Sequence, residues 1–191
     1  MRVSREKATE NRERIIAVAS ELLRAKGFDG IGVAEIMKAA DLTHGGFYGH
    51  FKSKDNLAAQ ACDAALGRSA ARWQEIADAS GDKAFEAMIK HYLSPRQYDG
   101  SGRGCALVAL GAEAPRQGKS VRAVFRDGLL RLVEVLMQAI PGASKAARRR
   151  KSLAVMAQLV GAGVLALAVD DAAFAEEILA ATKHDLLARE P

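Results

Sequence analysis

Apolar residues recur every three or four positions along most of this chain, which is the spacing of one face of an α-helix. These stripes predict helices over residues 10–26, 33–40, 53–78, 83–93, 104–113, 121–140, 143–169 and 172–188. The alternation of β-branched and polar residues that marks strands is nearly absent. Glycine, proline and serine separate the stripes, most clearly over residues 94–103. The pattern therefore predicts an all-α protein.

One short segment does not follow the long stripes. Residues 43–54, THGGFYGHFKSK, hold three glycines, three aromatic residues, two histidines and two lysines. Phe47 and Phe51 stand four residues apart on one helical face, which we expect to be buried. His44 and Tyr48 lie on another face among glycines, and glycine lets a backbone approach another surface closely. An apolar underside below an exterior of glycines and polar side chains suits a helix that lies in a DNA groove.

The residues before this segment complete a two-helix motif. Residues 33–40 predict one short helix, and Asp41 and Leu42 form a turn after it. Thr43 is a favourable residue to cap the start of the next helix, and Ser53 is favourable for the long helix that follows. Two short helices joined by a tight turn make a helix-turn-helix, whose second helix enters the major groove of DNA.

The order and spacing of these residues resemble the N-terminal domain of the TetR family of transcriptional repressors. The residues that carry the resemblance are Gly27-Phe28, Ile36, Ala39-Ala40 and the series Leu42-Thr43-x-Gly45-x-Phe47-Tyr48-x-His50-Phe51-x-Ser53-Lys54-x-x-Leu57. The resemblance implies a three-helix DNA-binding domain at residues 1–52 and a helical ligand-sensing and dimerisation domain at residues 53–191. It also implies a homodimer that binds a near-palindromic operator and leaves it when a small molecule binds. Activation instead of repression stays open, because the operator's position relative to a promoter is not part of the protein.

The same resemblance implies which residues meet DNA. Three of them fall where the recognition helix meets base edges: His44, Gly45 and Gly46. Four others fall where phosphates are held: Thr43, Tyr48, His50 and Lys54. The alternatives are a core aromatic for Tyr48, an ordinary surface histidine for His50, and a lysine that only solvates the next helix for Lys54.

Two positions depart from the residues that the family usually has. Asp41 occupies a turn position usually taken by glycine; aspartate tolerates the left-handed conformation but adds a negative charge near DNA. Gly32 stands before the first helix of the motif, where serine or threonine is usual. Glycine is a weaker cap and has no hydroxyl for a phosphate, so we expect one phosphate contact fewer there.

Composition and charge change this picture little. The 191 residues carry a net charge of +5, which is compatible with nucleic-acid binding without demonstrating it. The sequence has no Gly-rich phosphate loop, no nucleophile elbow and no histidines at zinc-like spacing, so we expect no enzyme, no metal and no cofactor. The charged first residues and the two distant cysteines, Cys62 and Cys105, favour the reducing cytoplasm and free thiols over secretion and a disulfide.

The predicted helix at 143–169 is apolar on all sides over residues 153–169 except for Gln158. It is at the short edge of what spans a bilayer, and such a helix is otherwise buried within protein. Burial on every side in a C-terminal helix pair implies a second subunit, so we favour a homodimer through residues 145–188 over a membrane span or a monomer core. Three small residues, Ala157, Gly161 and Gly163, would allow close helix approach.

The C-terminal half is expected to hold an apolar ligand pocket between helices. The candidate lining residues are Trp73, Met88, Tyr92, Leu107, Phe125 and Met137. The alternative for each of these residues, and the commoner role of such residues, is an ordinary core position. The sequence does not identify the effector beyond a small apolar or electrophilic molecule.

Cys105 gives an alternative mode of regulation. It follows Arg103 and Gly104 at the start of a predicted helix, and both a helix N-terminus and a neighbouring arginine lower the pKa of a thiol. We therefore expect an accessible thiolate that could meet electrophiles or oxidants. The competing interpretation is a small residue that only packs. Cys62, in the helix at 53–78, is expected to be buried.

Overall fold

The computed structural model describes residues 5–98, 102, 104–141 and 144–188, and every regular element in these ranges is helical, as predicted. The α-helices are α1 Arg5–Lys26, α2 Val33–Ala39, α3 Lys54–Ser80, α4 Ala84–Tyr92, α5 Ala106–Leu110, α6 Lys119–Ala139, α7 Lys145–Ala168 and α8 Ala172–Ala188. Short 3₁₀ helices span His44–Gly49, Gly81–Lys83, Pro95–Gln97 and Ala114–Arg116. The prediction placed the start of α1 five residues too late, because residues 5–9 have helix-forming side chains but no apolar stripe. It also made α5 too long.

The chain forms two compact units that do not follow the order of the sequence. The first unit comprises Met1–Leu66 and Ser101–Arg126, and the second comprises Gly67–Gly100 and Asp127–Pro191. Both α3 and α6 run without a break from one unit into the other. The domain boundary between residues 52 and 53 stays a prediction.

The core of the first unit forms around the end of α1. Ile15, Ala19 and Leu23 repeat along its inner face and are fully buried. Gly27 follows the helix with φ +78°, and its N–H donates to the Leu23 carbonyl, so it ends α1 in the left-handed conformation that glycine adopts at low cost. Phe28 then enters the core with 2% of its surface exposed. Burial of a side chain of this size contributes roughly 1.5–3 kcal/mol to stability.

Hydrogen bonds from residues far along the sequence fix the backbone at Phe28 and the end of α1. The Phe28 N–H donates to the Glu113 carboxylate at 2.9 Å, and the Lys54 amine donates to the Phe28 carbonyl at 2.6 Å. The Arg24 guanidinium donates to the Gly104 carbonyl at 2.7 Å. Segment 101–126 therefore holds α1 in the first unit, although it lies about 80 residues further along the chain.

In the second unit, α7 packs along α8, and α4 packs against α8. The Trp73 and Tyr92 rings meet edge to face with centroids 5.6 Å apart. The Ser144 hydroxyl accepts from the Ala147 N–H and caps α7, and the Asp171 carboxylate accepts from the Phe174 N–H at the start of α8.

The two faces of α7 differ in burial. The inward face is buried and contains Ser152, Val155, Met156, Leu159, Ala162, Gly163 and Ala166. The outward face carries Leu153, Val164, Leu165 and Leu167, each between 39% and 55% exposed. By length and composition this helix could cross a membrane, with a mean hydropathy of 1.6 and 39% of its apolar window buried. A helix of a soluble protein passes the same test when a partner covers its apolar outer face.

Gly30 has a steric requirement that can be tested. A Cβ at this position would lie 1.9 Å from the Lys26 carbonyl oxygen, so we expect Gly30→Ala to lower the free energy of unfolding by roughly 1–3 kcal/mol. Gly67 in α3 is the matched control, because a Cβ there meets nothing within 4 Å. Gly67→Ala is expected to raise stability by up to about 1 kcal/mol. Urea unfolding followed by circular dichroism measures both, and equal stability of the two variants would contradict the clash.

Candidate nucleic-acid interface

The turn after α2 is closed by a Schellman motif. The Leu42 N–H donates to the Met37 carbonyl at 2.9 Å, and the Asp41 N–H donates to the Lys38 carbonyl at 3.1 Å. Asp41 has φ +55° and is the one non-glycine residue with positive φ in the described part of the chain. Asp41 thus adopts the left-handed conformation that aspartate tolerates. It orients the chain as it enters the next element.

The second element of the motif, His44–Gly49, is a 3₁₀ helix and is called the recognition segment below. The expectation that the Thr43 side chain would cap it is wrong, since that side chain makes no capping hydrogen bond. A capping hydroxyl would normally accept a hydrogen bond from the Gly46 N–H. Here the Gly46 N–H donates to the Thr43 backbone carbonyl at 3.0 Å. Gly32 likewise provides no side-chain cap for α2, as expected.

Two phenylalanines anchor the recognition segment. Phe47 is 1% exposed and Phe51 is 2% exposed, which confirms their predicted burial. Their rings stack with centroids 5.7 Å apart, and the Arg12 guanidinium of α1 lies 5.3 Å from the centre of the Phe51 ring. Such a contact between a cation and an aromatic face contributes roughly 0.5–1 kcal/mol at an exposed site. The anchors hold a segment that is too short to form a helix alone.

The opposite side of the recognition segment is open to solvent. Tyr48 is 74% exposed, although its ring still packs edge to face on Phe47 at 5.2 Å. The exposed part of the ring is therefore available to a binding partner. The prediction that Tyr48 is not a core residue is confirmed.

No contact within the protein requires the glycines of this segment. A Cβ added at Gly45 or Gly49 would meet nothing within 4 Å, and one added at Gly46 would make ordinary contacts at 3.8 Å. None of the three has a positive φ. The fold would therefore accept alanine at each position. Glycine at these positions leaves the backbone open to close approach by an external surface.

The structure brings six of the seven predicted DNA-binding residues into one short surface. Thr43, His44, Gly45, Gly46 and Tyr48 are exposed, and His50 is half-buried. Lys54 differs, because its amine donates to the Phe28 carbonyl at 2.6 Å. Lys54 therefore has a structural role, because it fixes the backbone at Phe28, just after the end of α1. An ammonium has three donors, so one phosphate contact from it remains geometrically available.

The predicted effector-binding residues do not all fall in one unit. The second unit contains Trp73, Met88, Tyr92 and Met137, of which the first three are buried and Met137 is half-buried. The first unit contains Cys105, Leu107 and Phe125, all buried. Within the second unit, Trp73 and Tyr92 are in direct contact. The role of all these residues in ligand binding stays a prediction.

Both cysteines are buried, which contradicts the expectation of an accessible Cys105. This residue precedes the five-residue helix α5, and its thiol side is packed so that 8% of the residue is exposed. Arg103, the neighbour expected to favour a thiolate, lies outside the described residues. Cys62 is buried as predicted, and desolvation raises its pKa to about 12 despite the opposing effect of the Arg24 guanidinium.

The roles of two residues could not be read from the sequence. Glu113 fixes Phe28 from 85 residues away, and Arg12 both covers Phe51 and donates to the Gln60 amide oxygen. No local pattern marks a glutamate or an arginine for such long-range roles. The only sign of such a contact was the expected burial of Phe28, whose backbone must then be held in place.

The sequence of this chain is similar to those of known bacterial regulators. Residues 15–61 match the family model described as bacterial regulatory proteins, tetR family. The chain is 25% identical over 134 residues to the HTH-type transcriptional repressor NemR of Escherichia coli, covering 69% of this chain and 67% of that protein. It is 31% identical over 90 residues to the uncharacterised HTH-type transcriptional regulator YerO of Bacillus subtilis, covering 47% of this chain and 31% of that one.

Solved structures share the fold over nearly the whole chain. The reduced form of E. coli NemR superimposes with a TM-score of 0.80 at 21% identity, covering 95% of this chain and 98% of that one. A TetR transcriptional regulator from Legionella pneumophila gives a TM-score of 0.80 at 18% identity, with both chains covered in full. The similarity of fold therefore extends well beyond the segment that matches the family model.

Burial predicts how the two thiols react. At a mildly alkaline pH a thiol with a pKa of about 12 is almost entirely protonated, so we expect Cys62 to resist iodoacetamide in the folded protein. Cys105 is expected to react slowly because its packing limits access. Both should react within minutes in guanidinium chloride, as measured by mass spectrometry of the digested protein. Rapid alkylation of native Cys62 would contradict the burial.

Proposed function

Since this chain belongs to the TetR family of bacterial regulatory proteins, we propose that it represses transcription as a homodimer and leaves a near-palindromic operator when a small-molecule ligand binds. The family's role is regulatory and not catalytic. A protein with this role acts on cytoplasmic DNA. The observation that carries the proposal is the recognition segment, whose glycine and tyrosine surface is exposed above two buried phenylalanines.

In this proposal the recognition segment lies in the major groove. His44 is the main side chain that can reach base edges, because Gly45 and Gly46 have no side chains to read them. Thr43, Tyr48 and His50 hold phosphates, with Lys54 as a further donor. With few side chains available for bases, part of the specificity comes from the close fit of the backbone and from DNA shape.

The homodimer uses the apolar outer face of α7 together with α8. Leu153 and Leu165 are exposed on α7, and Phe174 of α8 is 49% exposed. A Cβ at Gly161 would meet nothing within 4 Å, so this glycine leaves room for a helix from a second subunit. Gly163 does not contribute to that room, because it is buried on the inward face. Exposed apolar residues along a helix pair are typical of a subunit interface.

Release from DNA requires a ligand that binds the released form more tightly than the DNA-bound form. The effector is a small apolar molecule, and within the second unit Trp73, Met88, Tyr92 and Met137 are the candidate residues to hold it. Helix α3 continues from Lys54, next to the recognition segment, to Ser80, so it provides a rigid covalent route for the response.

A thiol switch at Cys105 is the second candidate. The residue directly follows Gly104, whose carbonyl accepts the hydrogen bond from Arg24 of α1. An adduct on a buried thiol at this position would have to displace the residues packed around it. It would thereby weaken the hydrogen bond between Arg24 and the Gly104 carbonyl. The solved NemR structure is described as a reduced form, which supports a redox experiment on this chain.

The first test measures binding of the purified protein to DNA from upstream of its own gene, by gel shift across a salt series. We expect tight binding that weakens steeply with salt, because phosphate contacts release counterions. The complex is then treated with a thiol-reactive electrophile. Loss of the complex, together with its survival in Cys105→Ser, would support the thiol switch over release by an apolar ligand. Absence of binding at low salt would contradict the repressor proposal.

Gly45→Ala separates DNA binding from folding. Since a Cβ at Gly45 meets nothing, we expect unchanged or slightly higher stability, by up to about 1 kcal/mol. Affinity for the operator should fall at least roughly tenfold, because the added methyl group meets the DNA. Gly67→Ala, in α3, is the control that should leave DNA affinity unchanged. Full affinity in Gly45→Ala would mean that the backbone does not approach DNA at this position.

Leu165→Glu tests the proposed dimer. Leu165 is 55% exposed, so a glutamate is tolerated in the separate subunit but places a charge in the proposed interface. We expect the variant to sediment as a monomer at concentrations at which the wild type is a dimer. Ala71→Glu, which adds the same charge to an exposed position of α3, should stay dimeric. A dimeric Leu165→Glu protein would show that the interface lies elsewhere.

A further inference from the structure

The second unit contains a cleft of about 460 Å³ that none of the roles above uses. It is lined by the end of α3, the following 3₁₀ helix, the end of α6 and the first turn of α7. Its volume is within the range of small-molecule sites, roughly 300–1,000 Å³. Its apolar walls are Ala77, Ala84, Ala139, Ile140 and Pro141. None of the residues predicted above to bind the effector lines it.

Arg148 is the inner polar group of this cleft. It begins the inward stripe of α7, and its Nε atom is buried without a hydrogen-bond partner. One helical turn further along the same face, Ser152 is 0% exposed and its hydroxyl also lacks a partner. Two buried donors that lack acceptors on neighbouring turns are costly, and such groups in a folded protein usually mark a missing polar partner.

Two acidic residues of the same cleft attract a cation. Asp78 and Asp82 line it, and both are exposed at its opening. The C-terminal ends of α3 and α6 also lie here, and helix C-terminal ends carry partial negative charge. Asp78 accepts a hydrogen bond from the neutral Gln74 amide at 2.8 Å. Among the described residues, the structure gives neither aspartate an ion pair with a basic side chain.

We propose that this cleft binds a small zwitterion, with a carboxylate on Arg148 and an ammonium group at Asp78 and Asp82. The carboxylate accepts from the Arg148 guanidinium and supplies the acceptor that its buried Nε–H lacks. The apolar walls contact the methylene chain between the two charged groups. A purely anionic ligand would be repelled at the opening, and a purely cationic ligand would be repelled by Arg148.

The probes are a series of ω-amino carboxylates from 4-aminobutyrate to 8-aminooctanoate, titrated into the full-length protein by calorimetry without DNA. Hexanoate and hexylamine are the matched controls, because each lacks one of the two charges. We expect saturable binding of at least one amino carboxylate, at least roughly tenfold tighter than either control. Because no DNA is present, this result is independent of the repressor proposal.

Variants locate the binding. Arg148→Gln and Asp82→Asn are each expected to weaken binding of the best probe roughly tenfold, the effect of losing one charge-assisted contact. Arg149→Gln is the control, since Arg149 is the exposed neighbour of Arg148 and does not line the cleft. Circular dichroism checks the fold of each variant, and Asp82 is exposed enough that its replacement leaves the core intact.

Two results would overturn the proposal. One is the absence of binding tighter than about 10 mM for every member of the series. The other is binding of equal strength in the wild type, Arg148→Gln and Asp82→Asn, which would place the probe outside the cleft. Equal affinity for hexanoate and for the best amino carboxylate would also exclude a role for the two aspartates.

Discussion

The DNA-facing surface depends on the burial of Phe47 and Phe51. The recognition segment has six residues, three of which are glycine, so it has neither the length nor the helix propensity to form on its own. Stacking of the two rings, with Arg12 over the second, fixes its underside in the first unit. Phe47 and Phe51 are large and buried, whereas three of the exposed residues are glycines without side chains. Much of the exposed surface is therefore formed by the backbone. Loss of either ring would remove the surface without changing any residue that we propose to contact DNA.

A second set of contacts holds the base of that surface. The Phe28 corner is fixed through both its N–H and its carbonyl, by Glu113 and Lys54. The Arg24 contact to Gly104 adds a further link to the same distant segment. The geometry of α1 therefore depends on residues of segment 101–126, which also contains Cys105. This arrangement gives a modification or repacking of that segment a direct physical effect on the DNA-binding unit.

Several features of the fold followed from the sequence because they are local. Helical periodicity predicted the all-α architecture, and the spacing of Phe47 and Phe51 predicted their burial. Aspartate tolerates the left-handed conformation, and Asp41 adopts it, closing the turn through backbone hydrogen bonds. The expectations for Thr43 and Cys105 failed for a different reason. Capping depends on which backbone N–H is free, and thiol access depends on packing, and neither is encoded in the neighbouring residues.

The sequence by itself determined the helices, the helix-turn-helix and the apolar character of α7, because these depend on spacing within a few residues. Tertiary structure decided which face of α7 is exposed and that Lys54 holds a backbone carbonyl. It also placed Arg148, Asp78 and Asp82 in the lining of one cleft. These outcomes depend on contacts between residues that are distant in the sequence, such as Lys54 and Phe28, which are 26 positions apart. Periodicity reports which side of a helix is apolar, but only packing determines what covers it.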